Sequence, residues 1–171
     1  MTNWYNHNSL YQSIADFLKK YDLAFCPRSP FYLCKELGIG LIPYKDTDHH
    51  LINLSKDGFS VNQDGRYYIF YNKDAYSRRI TFTLAHELGH IVLKHHELVG
   101  TKVLMSGGCG VAEDQANIFA RNILMPPQAT KALLPFDVNH DQYKYYNVSK
   151  EMYDIRIRHL DQDIDWIDKF F

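Results

Sequence analysis

Residues 77–94 read SRRITFTLAHELGHIVLK, and this stretch decides the interpretation of the whole chain. Its apolar residues recur with the spacing of an amphipathic helix. His86, Glu87 and His90 form the H-E-x-x-H pattern inside that helix. Residues four apart lie one above the other on a helix face, so both imidazoles can bind one tetrahedral zinc ion. The stretch therefore predicts a zinc-binding helix, with Glu87 beside the open position of the ion.

The alternative is an amphipathic core helix with two hydrogen-bonded histidines, because H-E-x-x-H also occurs by chance. Three features favour the metal site. The flanking residues are apolar, as a buried active-site helix requires. Gly89 costs about 1 kcal/mol relative to alanine in a helix interior, so it needs a reason in packing or access. Candidates for a third metal ligand also follow downstream.

His96 is the first of these candidates, because it stands where the pattern H-E-x-x-H-x-x-G-x-x-H has its last histidine. That pattern needs a glycine to turn the chain back to the metal, and Leu93 occupies the glycine position. If the helix continues, His96 lies about 240° around the axis from His90 and points away from the metal. We therefore expect His95 and His96 to form a solvated helix end, where cations are favourable.

Glu113 is the second candidate. Apolar and small residues around it recur with helical spacing, and Glu113 shares one face with Ala116 and Ala120. A carboxylate followed by small residues suits two helices that pack closely around a metal. The alternative is that Glu113 and Asp114 are acids of a first helical turn, with Asp114 the local rival as ligand. Cys109 is a further possible ligand, although its glycine-rich setting is equally that of a loop.

Residues 79–91 read RITFTLAHELGHI, and residues 113–126 read EDQANIFARNILMP. These two segments together resemble the ImmA/IrrE family of metallopeptidases. That family pairs H-E-x-x-H with an E-x-x-A-N helix that ends in a Leu-Met-Pro sequence. The resemblance covers roughly residues 30–160. It implies a gluzincin-like site with zinc ligands His86, His90 and Glu113 and with Glu87 as the catalytic acid and base. Gln115 is a departure, since many members have a second glutamate there.

The resemblance also implies a substrate. Members of the family are similar to proteases that cleave or inactivate helix-turn-helix repressors, in stress responses and mobile genetic elements. We therefore expect a zinc-dependent endopeptidase whose protein substrate is a separate repressor. The rival interpretation is a non-catalytic, zinc-stabilised domain that sequesters a repressor. The presence of Glu87 favours the enzyme, because a structural zinc site closes with four protein ligands and needs no such carboxylate.

Composition and the absence of targeting patterns argue against several other classes of protein. A net charge of −1 gives no basic surface for direct nucleic-acid binding. No run approaches the ~20 apolar residues of a membrane span, and the N-terminus lacks the pattern of a secretory signal. The three cysteines, Cys26, Cys34 and Cys109, lack C-x-x-C spacing and are best interpreted as reduced thiols. We therefore expect a cytoplasmic protein.

The coarse pattern is that of one α+β domain over residues 1–171, with a small antiparallel sheet packed against a helical zinc-peptidase core. Helices are expected over 9–21, from 31 to 38, around Glu113 and after Ser149. Strands are expected at 39–44, 58–62 and 66–71, with a hairpin turn at Asp64-Gly65. Ser77 is the expected cap of the zinc helix.

Two further expectations concern the rim of the site. Glycines at 100, 107, 108 and 110 predict that residues 99–110 form a mobile lid, the alternative being a well-packed connection with tight turns. No sequence motif identifies the hydrogen-bond donor that stabilises the negatively charged oxygen of the transition state. Its candidates are Tyr71, Tyr143 and His140, each of which also has a purely structural interpretation.

Overall fold

A computed structural model describes residues 6–105, 110–138 and 141–171. The described residues fall into two compact units. The first comprises Ser29–Ala120, and the second comprises residues 6–28 together with Arg121–Phe171. Each unit is described by itself below, and the organisation of residues 1–171 as one catalytic domain stays a prediction.

The described residues of the first unit form a four-stranded sheet and helices. Its elements are α2 (Pro30–Glu36), β1 (Gly40–Tyr44), α3 (His49–Leu54), β2 (Gly58–Gln63), β3 (Arg66–Asn72), α4 (Ser77–Val92), α5 (His95–Val99), β4 (Val103–Met105) and, through Ala120, α6 (Val111–Leu124). The predicted strands and the predicted metal helix are all present within two residues of their expected bounds. Helix α3 and strand β4 were not predicted.

The sheet has the strand order β1-β3-β2-β4. β2 pairs antiparallel with β3 and with β4, whereas β1 pairs parallel with β3. The α+β class is therefore confirmed, but the sheet is mixed, and the expectation of a purely antiparallel sheet is wrong in this respect. The reason is that α3 and β2 separate β1 from β3 in the sequence, so no local turn signal specifies that pairing.

The β2–β3 hairpin turns at the predicted residues. Asp64 and Gly65 have φ values of 52° and 85°. Positive φ at both central residues is typical of a type I′ turn, whose twist matches that of the strands. The Asn62 side chain accepts a hydrogen bond from the Gly65 amide at 2.9 Å. The Asp-Gly pair therefore sets the register that aligns Phe59 with Phe70.

Helix α4 packs on the sheet against β2 and β3. Leu84, Ala85 and Leu88 are fully buried, which fixes the rotation of the helix about its axis. A Cβ atom at Gly58 of β2 would lie 2.5 Å from the Thr83 methyl, so the missing side chain allows the helix to approach the strand. The cap residue is Tyr76 rather than the predicted Ser77, which is the first helical residue.

The second unit is helical in its described part. It contains α1 (His7–Lys20), the end of α6, α7 (Pro127–Leu133), a 3₁₀ turn (Leu134–Phe136), α8 (Gln142–Tyr145), α9 (Lys150–Arg158) and α10 (Leu160–Ile167). Its core holds Arg156 and Asp163, both fully buried, and Asp163 also accepts hydrogen bonds from Arg121 at 2.9 Å. Breaking such a buried pair is strongly destabilising, so Arg156 has a structural role here.

Within the described ranges, no helix combines the length and the apolar character needed to cross a membrane.

Candidate metal centre

Helix α4 places the two motif histidines together. The Nε2 atoms of His86 and His90 are 3.0 Å apart, because the two residues are one turn apart on one helix face. Both side chains are buried, with exposed fractions of 5% and 1%. The two imidazoles therefore lie side by side in the interior, as the H-E-x-x-H spacing predicts, and one ring can donate a hydrogen bond to the other.

Glu113 of α6 lies beside both histidines. Its Oε2 atom is 3.3 Å from His86 Nε2, and its Oε1 atom is 3.1 Å from His90 Nε2. Among the described residues, His86, His90 and Glu113 form a group that could hold a metal ion. Neighbouring ligands of a tetrahedral zinc ion are about 3.3 Å apart, given zinc–ligand distances of about 2.0–2.1 Å. The spacing of the three atoms and their chemistry therefore fit zinc.

The electrostatics of the group favour the ligand form of Glu113. Burial opposes its ionisation, but hydrogen bonds from His86 and His90 outweigh burial and hold the pKa of Glu113 well below its usual range. Burial also disfavours the charged form of His86, but the hydrogen bond with Glu113 and the charges of Glu87 and Glu113 outweigh burial and raise the pKa of His86 above its ordinary value. The carboxylate is thus ionised at neutral pH, as metal binding requires.

Asn117 holds the other side of the His86 ring. Its Oδ1 atom lies 2.9 Å from His86 Nδ1. An amide oxygen can only accept a hydrogen bond, so Nδ1 carries a proton, and Nε2 is the ring nitrogen that faces Glu113 and His90. Such partners orient metal-binding histidines in many proteins.

The chain after α4 does not follow the predicted path. Helix α4 ends at Val92, and Lys94 adopts the left-handed conformation with φ 57°. His95 and His96 begin α5 and are buried, with exposed fractions of 0% and 2%. The expectations of a continuous helix and of a solvated histidine end are therefore wrong. No glycine or proline marks this break; the fully buried Leu93 and the two buried rings accompany it instead.

The left-handed turn brings His95 back to the site. Its Nδ1 atom lies 2.9 Å from His90 Nδ1, and its Nε2 atom lies 3.1 Å from Gln115 Oε1. Burial is the main cause that lowers the pKa of His95 to about 4. In a regular helix, residue 95 would lie about 140° around the axis from residue 90, so this contact depends on the conformation of Lys94.

His96 is bonded elsewhere. Its Nε2 atom lies 3.1 Å from Ser60 Oγ on β2, and its Nδ1 atom lies 3.3 Å from the carbonyl oxygen of Thr101. Burial lowers the pKa of His96 as well. The ring therefore links α5 to the sheet and lies outside the His86–His90–Glu113 group.

Lys94 offers a direct test of the turn. A non-glycine residue in the left-handed region costs about 1–2 kcal/mol, and glycine avoids that cost at some expense in entropy. We expect Lys94→Gly to raise the free energy of unfolding by about 0.5–1 kcal/mol in urea denaturation, and Lys94→Val to lower it. Lys94 is exposed, so neither change removes a buried contact. Equal destabilisation by both substitutions would contradict this role of the backbone.

Gly89 lies where α4 meets α6. A Cβ atom there would be 3.1 Å from Phe119 Cδ1 and 3.2 Å from the Cα atom of Ala116. Phe119 and Ala116 are both fully buried. The missing side chain therefore lets the helix with the two histidines approach the helix with Glu113, which is the packing reason expected from the sequence.

Gly89→Ala is expected to destabilise the protein despite its better helix propensity. The propensity gain is about 1 kcal/mol, whereas overpacking of a close contact costs about 1–3 kcal/mol. The Cα atom of Ala116 can yield only if α6 shifts, and Glu113 shifts with it. We therefore expect lower stability in urea and weaker zinc binding together. Arg78→Ala, on the exposed first turn of α4, is the control and should change stability by less than about 0.5 kcal/mol. Tighter zinc binding by Gly89→Ala would contradict the packing argument.

The other predicted site residues are placed as follows. Glu87 is fully buried on α4, and Asp114 is exposed on α6. Tyr71 of β3 packs edge-on against Phe31, and Tyr143 lies in α8 of the second unit. Cys109 and His140 lie outside the described residues. Their roles as ligand and oxyanion donor stay predictions.

The predicted lid is described only in part. Within residues 99–110, Val103–Met105 form β4, which pairs with β2 at the edge of the sheet. The Asn62 amide also donates a hydrogen bond to the Lys102 carbonyl at 2.8 Å. Residues 106–109 lie outside the described ranges, so the gating function stays a prediction.

The relation to known proteins agrees with this geometry. The sequence profile of the IrrE N-terminal-like domain, peptidase family M78, matches residues 34–158. The chain belongs to this family. The resemblance inferred from the H-E-x-x-H and E-x-x-A-N segments is thereby confirmed, and this M78 domain is a metallopeptidase with a histidine–histidine–glutamate group that could hold its metal. No match to the chain is found among curated proteins.

Sequence reasoning missed three polar residues around the M78 site. Asn117 was recognised only as part of a family pattern, although its position four residues after Glu113 places it on the same helix face. Gln115 was noted only as a departure from that pattern. His95 was assigned to solvent, since nothing in the sequence signals the left-handed turn at Lys94. The only available signal was the short distance in the sequence between His95 and the H-E-x-x-H motif.

Proposed function

We propose that this M78 protein is a zinc-dependent endopeptidase that acts in the cytoplasm on a separate helix-turn-helix repressor. The observation that carries the proposal is the convergence of Glu113 on the Nε2 atoms of His86 and His90 within 3.1–3.3 Å. Two imidazoles and one carboxylate are the protein ligands in one class of catalytic zinc site, and catalytic sites keep a further position open. The repressor is the substrate class that the family resemblance implies.

The mechanism assigns each chemical task to a residue of α4 or α6. His86, His90 and Glu113 would hold the ion, which supplies a Lewis acid that polarises the scissile carbonyl. Glu87 accepts a proton from the attacking water and passes it to the nitrogen of the leaving amine. One C–N bond breaks and one C–O bond forms, so the products are a carboxylate and an amine. Asn117 accepts the Nδ1 proton of His86, so Nε2 is the atom of that ring that would bind the ion.

The substrate backbone can be bound by strand addition. β4 lies at one end of the sheet, next to β2 on which α4 packs. An extended peptide that adds to an edge strand gains main-chain hydrogen bonds without needing one particular sequence. In the proposal, the residues beside the metal group then determine which side chains of the substrate are preferred.

A digestion experiment tests the proposed activity. The purified chain is stripped with a chelator and reloaded with zinc. It is then incubated with a peptide library prepared from a whole proteome, and with purified helix-turn-helix repressors. We expect new peptide termini, detected by mass spectrometry, only after zinc is restored. A zinc-loaded protein that generates no termini from either material would overturn the endopeptidase assignment.

A further inference from the structure

The buried side chain of His95 lies outside the metal group and contacts both His90 of that group and Gln115 of α6. The imidazole of His95 is fully buried and lies between His90 and Gln115. Its Nδ1 atom is 2.9 Å from His90 Nδ1, and its Nε2 atom is 3.1 Å from Gln115 Oε1. The far side of the His90 ring, at Nε2, faces Glu113 at 3.1 Å. The three side chains thus form a continuous series of polar contacts that ends at the metal group.

Hydrogen-bond chemistry allows one assignment of protons that is compatible with metal binding. The amide oxygen of Gln115 can only accept, so the His95 Nε2 atom donates to it. An imidazole whose single proton is on Nε2 offers a lone pair at Nδ1. His90 must then donate from its own Nδ1 atom, because one of two facing ring nitrogens has to carry the proton. The neutral, metal-binding form of His90 then has no proton on Nε2, the atom that would bind the ion.

We propose that His95, held by Gln115, is a positioning residue that fixes the metal-binding tautomer and ring orientation of His90. The inference rests on the proposed metal-dependent function and extends it to two residues, His95 and Gln115, that support a metal ligand through hydrogen bonds. With the opposite tautomer of His95, the His90 proton would move to Nε2 and block the atom that faces Glu113. Outer-shell partners of metal-binding histidines typically act in this way through a carboxylate or a carbonyl. Here an imidazole and an amide in series take that place.

The arrangement also explains the left-handed turn. Lys94 reverses the chain and thereby lets His95 reach the Nδ1 side of His90. On His86 the corresponding atom is held directly by the amide oxygen of Asn117 at 2.9 Å. Both imidazoles of the motif therefore have an acceptor behind them, and α6 supplies or supports each one.

Substitutions at His95 separate positioning from packing. His95→Phe keeps a ring of similar size but removes the acceptor, whereas the side-chain oxygen in His95→Asn can accept from His90. We expect His95→Phe to weaken zinc binding about 10–100-fold, the usual effect of losing an outer-shell partner, and His95→Asn to recover most of that loss. Zinc affinity is measured by competition with a chromophoric chelator. His96→Asn is the matched control, because His96 is equally buried on α5 but contacts Ser60 and Thr101. Its zinc affinity should equal that of the unaltered chain.

Gln115 provides a second, independent variant. Gln115→Glu keeps an acceptor for the His95 Nε2 proton and should retain zinc affinity, whereas Gln115→Leu removes the acceptor and should weaken zinc binding. Long-range ¹H–¹⁵N correlation spectra of the zinc-loaded chain report the tautomers without any substitution. We expect the Nε2–H form of His95 and the Nδ1–H form of His90.

The outcomes distinguish this inference from the proposed function. If the unaltered chain fails to bind zinc, the proposed function fails as well. If it binds zinc and His95→Phe binds it as tightly, or the spectra show the Nδ1–H form of His95, only the positioning role is overturned. Should His95→Phe fail to fold, the spectra and the pair of Gln115 variants still decide the question.

Discussion

Glu87→Gln is expected to lower the rate of peptide cleavage by ~10²–10⁴-fold while zinc stays bound, because general acid–base catalysis contributes about that factor. Glutamine has nearly the size of glutamate but cannot accept the proton of the attacking water. Glu87 is fully buried on α4 between the two histidines, so the isosteric change leaves the packing in place. Cleavage is measured by mass spectrometry, and zinc content by atomic emission on the same samples.

Glu36→Gln is the control for this substitution, because it makes the same change at an exposed residue near the end of α2. It should cleave at the rate of the unaltered chain. Undiminished cleavage by a fully zinc-loaded Glu87→Gln variant would exclude Glu87 as the base. If that variant loses cleavage yet still relieves repression in cells, the function is sequestration of the repressor, the rival class suggested by the sequence.

Glu113→Ala is expected to weaken zinc binding by more than the 10–100-fold that an outer-shell residue contributes, and to abolish cleavage with it. The substitution removes the carboxylate that contacts both histidine Nε2 atoms, at 3.3 and 3.1 Å. Zinc affinity by chelator competition is the primary measurement, and cleavage at saturating zinc is the second.

Asp114→Ala is the matched control for Glu113→Ala. Asp114 is the neighbouring acid on α6 and the rival ligand in the sequence, but its side chain is exposed. Its removal should leave zinc affinity unchanged. A loss of zinc on removal of Asp114, with affinity kept on removal of Glu113, would reverse the ligand assignment.

Local periodicity was sufficient to predict the elements that carry the metal group. Helix spacing placed His86 and His90 on one face, and the small residues Ala116 and Ala120 placed Glu113 on a face that can approach another helix. Both deductions need only the geometry of a single helix, which the sequence determines locally. The Asp64-Gly65 hairpin was predictable for the same reason.

The features that the sequence did not predict are set by contacts between distant segments. β1 pairs parallel with β3, and no turn signal between them encodes this choice. β4 lies in a glycine-rich region whose composition indicates a loop, but its backbone pairs with β2. Lys94 has no intrinsic preference for its left-handed conformation; the burial of His95 accompanies it. Each of these depends on tertiary packing rather than on local propensity.

The close approach of α4 and α6 at Gly89 has a consequence for how this protein tolerates mutation. In the H-E-x-x-H pattern the two middle positions are written as free, and Leu88 and Gly89 occupy them here. A β-carbon at the second of these positions would lie 3.2 Å from the Cα atom of Ala116, closer than an ordinary carbon–carbon contact. In a saturation library selected for activity, position 89 should therefore be depleted of substitutions, most strongly of residues larger than alanine. In this chain the sequence requirement of the motif thus includes Gly89, although Gly89 takes no part in the chemistry.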